Sequence, residues 1–285
     1  MCDVLKISRS GFYDWLKRKN APPTAQEQIK QKRRDLVEEL FNKSHRIYGY
    51  RKTSAVLRSR GVVCSANTIH SDYKNFGIKS VVKKKHRICT TDSKHSNPIA
   101  KNVLNRDFTA SKPNEKWVTD ITYVETHEGW LFVVAIMDLF SRKVIGYAMA
   151  DHMKTELVVS ALRMALMRGR KIVGEIWIHS DRGVQFSSEM FRDALRIAEI
   201  GQSMSRKGNC WDNAPCESWF GKLKSEWIYP HGIYETREDA KLSIIEYIEM
   251  FYNSERVHQA LGYKTPNDFE SEYFDQEMEL TTISR

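Results

Sequence analysis

The 285 residues are 41% hydrophobic, enough for a packed core, and no apolar run nears the ~18 residues of a membrane span, which excludes a membrane-spanning chain. Five cysteines (Cys2, Cys64, Cys89, Cys210, Cys216), odd in number, scattered and never in CxxC spacing, suit a reducing cytoplasm better than a disulfide framework; with no secretory segment in the first thirty residues, a cytoplasmic protein is expected. The net charge of +9 is uneven: Lys and Arg stand to Asp and Glu as 22 to 8 over residues 1–100, 22 to 22 over 101–266 and 1 to 6 over 267–285.

A basic first third on a neutral body suggests a nucleic-acid grip attached to a working domain; the alternative is a well-solvated helical surface. Within it, "ISRSGFYDWLKRKN" (7–20) offers Ser8 or Ser10 as N-cap ahead of Phe12, Trp15 and Leu16 at helical spacing. Pro22 and Pro23 break that helix. Residues 24–44 carry one apolar stripe of Ile29, Leu36, Val37, Leu40 and Phe41. Two short helices follow, 50–61 closed by Gly61 and 65–77 opened by Ser65 and closed by Gly77. Helix, tight turn, helix in basic surroundings is a helix-turn-helix pattern, shared with many plain bundles. The run "KKKHR" (83–87) reads as a linker able to lie along phosphates.

The texture changes at Trp117. Residues 116–126 and 130–139 read as strands joined by a turn at Gly129, and 143–151 as a third. An amphipathic helix over 155–170 precedes a fourth strand, 175–181, which ends on Asp181. A helix over 187–200 and a fifth strand, 201–205, come next. A helix begins near Pro215, and a long one over 237–256 closes the core. Three consecutive strands, a crossover helix and then alternating elements predict a mixed five-stranded sheet covered by helices on both faces.

Three acids stand out. Asp120 lies inside an apolar strand, where propensity disfavours it. Asp181 sits at a strand end, where ligands and catalytic groups gather in such sheets. Glu217 follows Pro215 at a helix start. The ordinary alternatives are a turn-forming Asp181 and a helix-first-turn Glu217. If the first and fourth strands are neighbours, Asp120 and Asp181 converge and Glu217 approaches from the helix. Three oxygen donors then suit Mg²⁺, and two such ions serve in-line displacement at phosphorus.

The surrounding strings "WVTDITY", "HSDRGVQF" and "NAPCESWFGKLKSE", with 35 residues between Asp181 and Glu217, closely resemble the DDE transposases of bacterial insertion sequences. The match is to the OrfB type of the IS-three group, whose catalytic core is similar to retroviral integrases. "YNSERVHQALGYKTP" (252–266) resembles the group's C-terminal signature, and "RIYGYRKTSAVLRSRG" its helix-turn-helix portion. The resemblance implies an α/β, RNase-H-like catalytic core with Asp120, Asp181 and Glu217 as catalytic residues and metal ligands. The cofactor implied is Mg²⁺, two ions, with Mn²⁺ able to substitute. Lys224 takes the group's basic position seven residues after the glutamate, and α-helical geometry puts it within ~20° of the Glu217 face.

Four segments are expected: a helix-turn-helix region (1–82), a basic linker (83–112), the catalytic core (113–266) and an acidic tail (267–285). DNA contacts are expected at Lys224, Lys222, Gln185, Arg206, Lys207, Lys83, Lys84, Lys85, Arg51 and Lys52. His179, two residues before Asp181, either orients the site or is a core histidine. Asn213 is expected to bond the backbone as a helix cap rather than a substrate phosphate, Asp138 to shape a turn, and Arg256 and His258 to pack. Trp211 either covers a loop or stacks on a base. Cys210 and Cys216 lack the paired ligands that structural zinc needs, so no zinc is expected.

The expected function is metal-dependent cleavage at insertion-sequence ends and strand transfer by the freed 3′-hydroxyl. The resemblance implies a copy-out–paste-in route. Its partners would be the terminal inverted repeats, target DNA, further copies of the chain on DNA, and an upstream OrfA-type protein or a frameshift fusion to it. The location implied is the bacterial cytoplasm, with nucleoid association when DNA is bound. The rival readings are a nuclease that never joins and a DNA-binding repressor with an idle core.

Overall fold

The computed structural model describes residues 2, 4–83, 97–168 and 175–283, so Lys84, Lys85 and Cys89 lie outside the described residues. The chain divides into two units, Met1–Lys79 and Ser80–Arg285. Four helices build the first: α1 (Arg9–Asn20), α2 (Ala25–Lys43), α3 (Tyr50–Ser59) and α4 (Ala66–Asn75). Ser8 caps α1 by accepting from the Gly11 N–H, and Thr24 and Glu27 close a reciprocal capping box at the start of α2. Val37, Leu40 and Phe41 of α2 meet Leu57, Ile69 and Tyr73 in a small core, with Phe41 and Tyr73 edge to face at 5.8 Å. Ile29, expected in the same stripe, is exposed: α3 and α4 are ten residues each and leave the first half of α2 uncovered. Gly61 and Gly77 end α3 and α4 at φ +80° and +65°, left-handed positions that favour glycine.

The second unit is organised by a five-stranded sheet in the order β3-β2-β1-β4-β5, with β1 (Lys116–Thr126), β2 (Gly129–Asp138), β3 (Val144–Ala150), β4 (Ile176–Ser180) and β5 (Ile200–Met204). The first three strands form an antiparallel meander, while β4 and β5 run parallel to β1 and its neighbour. The expected mixed sheet is therefore present, and β1 is its centre. On one face, α5 (Thr155–Arg168), α6 (Val184–Ser187) and α7 (Glu189–Ile197) pack over Trp117, Ile136, Ile145 and Ile178, with Phe186 of α6 in the same core. α5 lies so close to β3 that a Cβ on Gly146 would stand 2.4 Å from the Ala161 carbonyl oxygen.

Residues of β2 pointing the other way, Leu131, Val133, Ala135 and Met137, are buried too, so both faces are covered. The remaining elements are α8 (Ala214–Lys222), α9 (Tyr229–His231), α10 (Arg237–Glu246) and α11 (Pro266–Ile283). Helix α8 runs on into a π-helical stretch, Leu223–Ile228, and α10 into another, Tyr247–Tyr252. The acidic C-terminal segment is helical, α11, held by Phe269 and Tyr273 against Phe140 at 5.1 Å each and by a 2.6 Å Lys143–Glu270 ion pair. No helix among the described residues is long and apolar enough to cross a membrane.

Candidate active site

β1 and β4 lie side by side in parallel, with Trp117 opposite Ile178 and Val118 opposite His179. Two residues further along both chains come Asp120 and Asp181, so the register sets them level and on the faces of Val118 and His179. There β4 ends, while β1 continues alongside β2. That answers why an aspartate sits in mid-strand: the sheet opens beside Asp120, and the acid stands at a mouth rather than in a ladder. Both carboxylates are half-buried. Asp120 Oδ1 accepts from the Ile121 N–H at 2.8 Å, and Asp181 Oδ1 from the Gly183 N–H at 2.9 Å.

The start of α8 fills the opened edge. Asn213 donates from Nδ2 to the Thr119 carbonyl at 3.0 Å, taking the place of a strand partner on β1. It does not cap α8 with its side chain, contrary to expectation. Its Oδ1 is buried without a hydrogen-bond partner among the described residues. Glu217 stands half-buried in the first turn of α8 beside the fully buried Cys216. Burial, then the charges of Asp120, Glu217 and Asp181, push the Cys216 thiol well up, so it stays protonated. The convergence is not closed: no three His, Cys, Asp or Glu side chains among the described residues come together tightly enough to hold a metal ion.

The loop before α8 is pinned by a residue that the sequence did not single out. Asp212 is fully buried and accepts from Arg206 N–H (2.9 Å), Arg206 Nε (2.9 Å) and Nη2 (2.7 Å), Arg106 Nε (2.8 Å) and Asn102 Nδ2 (3.0 Å). The Arg206 hydrogen bonds, outweighing burial, hold its carboxyl well below the usual range. Two of its partners lie about a hundred residues upstream, so no local pattern marks it. Trp211, next to it, is 69% exposed at the loop surface.

His179 is a core histidine. It is fully buried, with Nδ1 2.8 Å from Ser203 Oγ and Nε2 3.0 Å from Ser205 Oγ, and burial pushes its pKa down to about 4. Between pH 6.5 and about 4 the unfolded chain binds a proton there that the folded chain refuses, so this residue removes stability as pH falls through that window. We expect denaturant titrations of wild type and His179→Gln to differ in pH slope there, by up to about 3 kcal/mol in total. Equal slopes would contradict the assignment. The comparison must be differential because Asp138, buried and pushed up to about 7 by desolvation, acts in the opposite direction.

Asp138 shapes its turn as expected, accepting from Phe140 N–H at 3.1 Å. Arg256 is buried in a two-pronged pair with Glu226 at 2.7 and 2.6 Å, with His258 3.3 Å away. Gln185, expected on DNA, is nearly buried and donates to the Met153 carbonyl at 2.8 Å. Lys224 Nζ lies 4.8 Å above the Tyr123 ring on β1, reached through the π-helical stretch rather than along a straight α-helix. Lys222 is half-buried, its pKa lowered by burial and then by Arg256. Arg206 is half-exposed on Asp212 and Lys207 is exposed. Lys83 holds its segment to the helix through Ser225 O (2.9 Å, from its N–H) and Tyr229 O (3.4 Å, from Nζ). In the first unit, Arg51 and Lys52 stand over the rings of Tyr50 and Tyr48 at 5.3 and 5.2 Å.

Comparison with known proteins follows the same division. Residues 110–210 and 198–266 each match an integrase core domain family, and 28–86 match an HTH-like domain. An uncharacterized 31 kDa protein of insertion element IS600 from Shigella sonnei is 37% identical over 96% of this chain and 98% of its own. Transposase InsF for insertion sequence IS3A from Escherichia coli K12 is 37% identical over 95% and 93%. Among solved structures, the simian T-cell lymphotropic virus intasome gives a TM-score of 0.48 at 17% identity, over 82% of this chain and 74% of that one. The HTLV-2 integrase catalytic core domain in complex with magnesium gives 0.45 at 17%, over 57% and 99%. With more than a third of its residues shared across nearly full-length relatives, the chain belongs to the IS3 family of insertion-sequence DNA transposases, an HTH-like region followed by an integrase core.

Proposed function

We propose that Asp120, Asp181 and Glu217 are the catalytic residues and hold Mg²⁺, as two ions, with Mn²⁺ able to substitute. The observation that carries this is the register that sets Asp120 and Asp181 level where the sheet opens, with Glu217 brought in by α8. The donor chemistry suits a hard cation that keeps several waters: three half-buried carboxylates, not drawn tightly together here, and a buried amide oxygen of Asn213 with no partner among the described residues. Bound there, the metal would lower the barrier to displacement at phosphorus by stabilising the attacking and leaving oxygens. The protein's own part is to hold the element end. Lys224, Lys222, Arg206, Lys207 and the run Lys83, Lys84 and Lys85 supply cations for the phosphates, and Arg51 and Lys52 do so in the first unit.

The reaction has two displacements. Water attacks the phosphodiester at the element end and frees a 3′-hydroxyl. That hydroxyl attacks a second phosphodiester, forming one bond and breaking another, in a copy-out–paste-in route. Both element ends must be held at once, so the working form is an oligomer on DNA, and an OrfA-type protein or a fusion to it completes end recognition. The protein acts in the bacterial cytoplasm, at the nucleoid when bound. A pre-cleaved end tests the reading against a nuclease. With target DNA and Mg²⁺, a longer joined strand is the expected product; cleavage of intact ends with no joining would contradict it.

A further inference from the structure

The segment 252–266 holds no carboxylate of the triad and none of the cations assigned to DNA, yet its Asn253, Arg256, His258 and Thr265 are all buried. Asn253 closes a two-bond bracket on the start of β3, accepting from the Val144 N–H and donating to the Val144 carbonyl, both at 3.0 Å. The Tyr252 hydroxyl donates to the Arg142 carbonyl at 3.1 Å, just before that strand. These two residues fix the segment to an edge strand of the sheet.

The same segment grips the helix of Glu217 in two places. The Tyr252 ring stands edge to face with Trp219, two residues after Glu217 on α8, at 5.9 Å. Nine residues after Glu217, in the π-helical stretch that continues α8, the Glu226 carboxylate takes both prongs of Arg256 at 2.7 and 2.6 Å. The other π-helical stretch, Tyr247–Tyr252, packs on this one: Trp227 stacks on Phe251 at 5.8 Å, and the Tyr247 hydroxyl lies 3.4 Å from Glu226. His258 Nε2 is 3.3 Å from the Arg256 guanidinium, and its backbone N–H donates to the Lys264 carbonyl at 2.9 Å across a turn in which Gly262 takes φ +64°.

Stability alone does not call for such a pair. An apolar pair of similar volume in place of a buried ion pair is often neutral or stabilising, whereas two parallel N–H···O bonds fix both distance and angle. A carboxylate carried on a helix needs that definition, because a misplacement of about 1 Å can cost about a hundredfold in rate. The π-helical stretch, a rare ladder, adds a register that must be held. Resting on the reading of Glu217 as a catalytic carboxylate, we propose that segment 252–266 is a positioning clamp for it. Asn253 and Tyr252 seat the clamp at β3. Arg256, through Glu226, sets the rotation and depth of the helix that carries Glu217 toward Asp120 and Asp181.

The test uses the full chain, a pre-cleaved end duplex with target DNA and Mg²⁺, and the paired change Glu226→Met with Arg256→Met. The thermal midpoint should stay close to wild type, while kcat for joining falls by about a hundredfold with KM for the duplex unchanged. A merely structural pair would move the midpoint and leave kcat of the folded chain alone. Arg256→Lys keeps the charge but not the fork, and serves where the paired change does not fold; its folded chain should show the same split, kcat down and KM unchanged. Wild-type kcat in either folded variant, or a loss confined to KM, would overturn the clamp. Glu217→Gln is run beside them. Joining at the wild-type rate in Glu217→Gln would overturn the reading of Glu217 and the clamp with it, whereas an inactive Glu217→Gln beside a fully active paired variant would overturn the clamp alone.

Discussion

Asp181→Asn should lower strand cleavage and joining by at least about a thousandfold while leaving fold and DNA affinity nearly intact. The substitution is close to isosteric, and its side-chain oxygen can still accept from the Gly183 N–H that Asp181 engages at 2.9 Å. What is lost is the negative charge at the end of β4, level with Asp120. A hard cation held by carboxylates contributes several kcal/mol to a phosphoryl displacement, and each 1.36 kcal/mol is a factor of ten in rate. Gel assays on end-labelled duplexes measure the rate, and anisotropy measures the binding. Cleavage within tenfold of wild type would remove Asp181 from the site.

Arg256→Ala should destabilise the second unit by about 3–5 kcal/mol, the usual effect of leaving one member of a buried ion pair without its partner. Arg256 and Glu226 are 3% and 8% exposed and meet in a two-pronged pair, with the Tyr247 hydroxyl 3.4 Å from the Glu226 carboxylate. Alanine would strand Glu226 in the π-helical stretch that follows the helix of Glu217. Replacing both residues by methionine should cost far less than either alanine change, because neither charge is then buried unpaired. Urea unfolding measures both. A single-variant loss below about 1 kcal/mol would contradict the buried pair.

How much of this was legible in the sequence depended on how local the cause was. The strands, the crossover helix and the glycine-terminated short helices follow from periodicity and caps within a dozen residues. So did Asp120, because an acid among Val118, Ile121 and Tyr123 is conspicuous. Asp212 was not legible: its partners Asn102 and Arg106 come from a distant segment, and an aspartate in a polar loop looks ordinary. Helix α11 reads as an acidic tail because Phe269 and Tyr273 form too sparse a stripe, and Phe140, which they pack against, lies over a hundred residues away. The π-helical stretches were invisible for a similar reason, since tertiary packing sets them. The loop before Glu217 is anchored by Asp212 through five hydrogen bonds, which its polar composition does not announce.

The central claim is that Asp120, Asp181 and Glu217 share one cation site. Manganese titration of the chain bound to a pre-cleaved end duplex, followed by loss of the free-ion electron paramagnetic resonance signal, tests it without relying on turnover. The account predicts saturable binding in wild type that weakens markedly in each of Asp120→Asn, Asp181→Asn and Glu217→Gln, since each removes a charged oxygen donor. Binding in all three variants that matches wild type would contradict it.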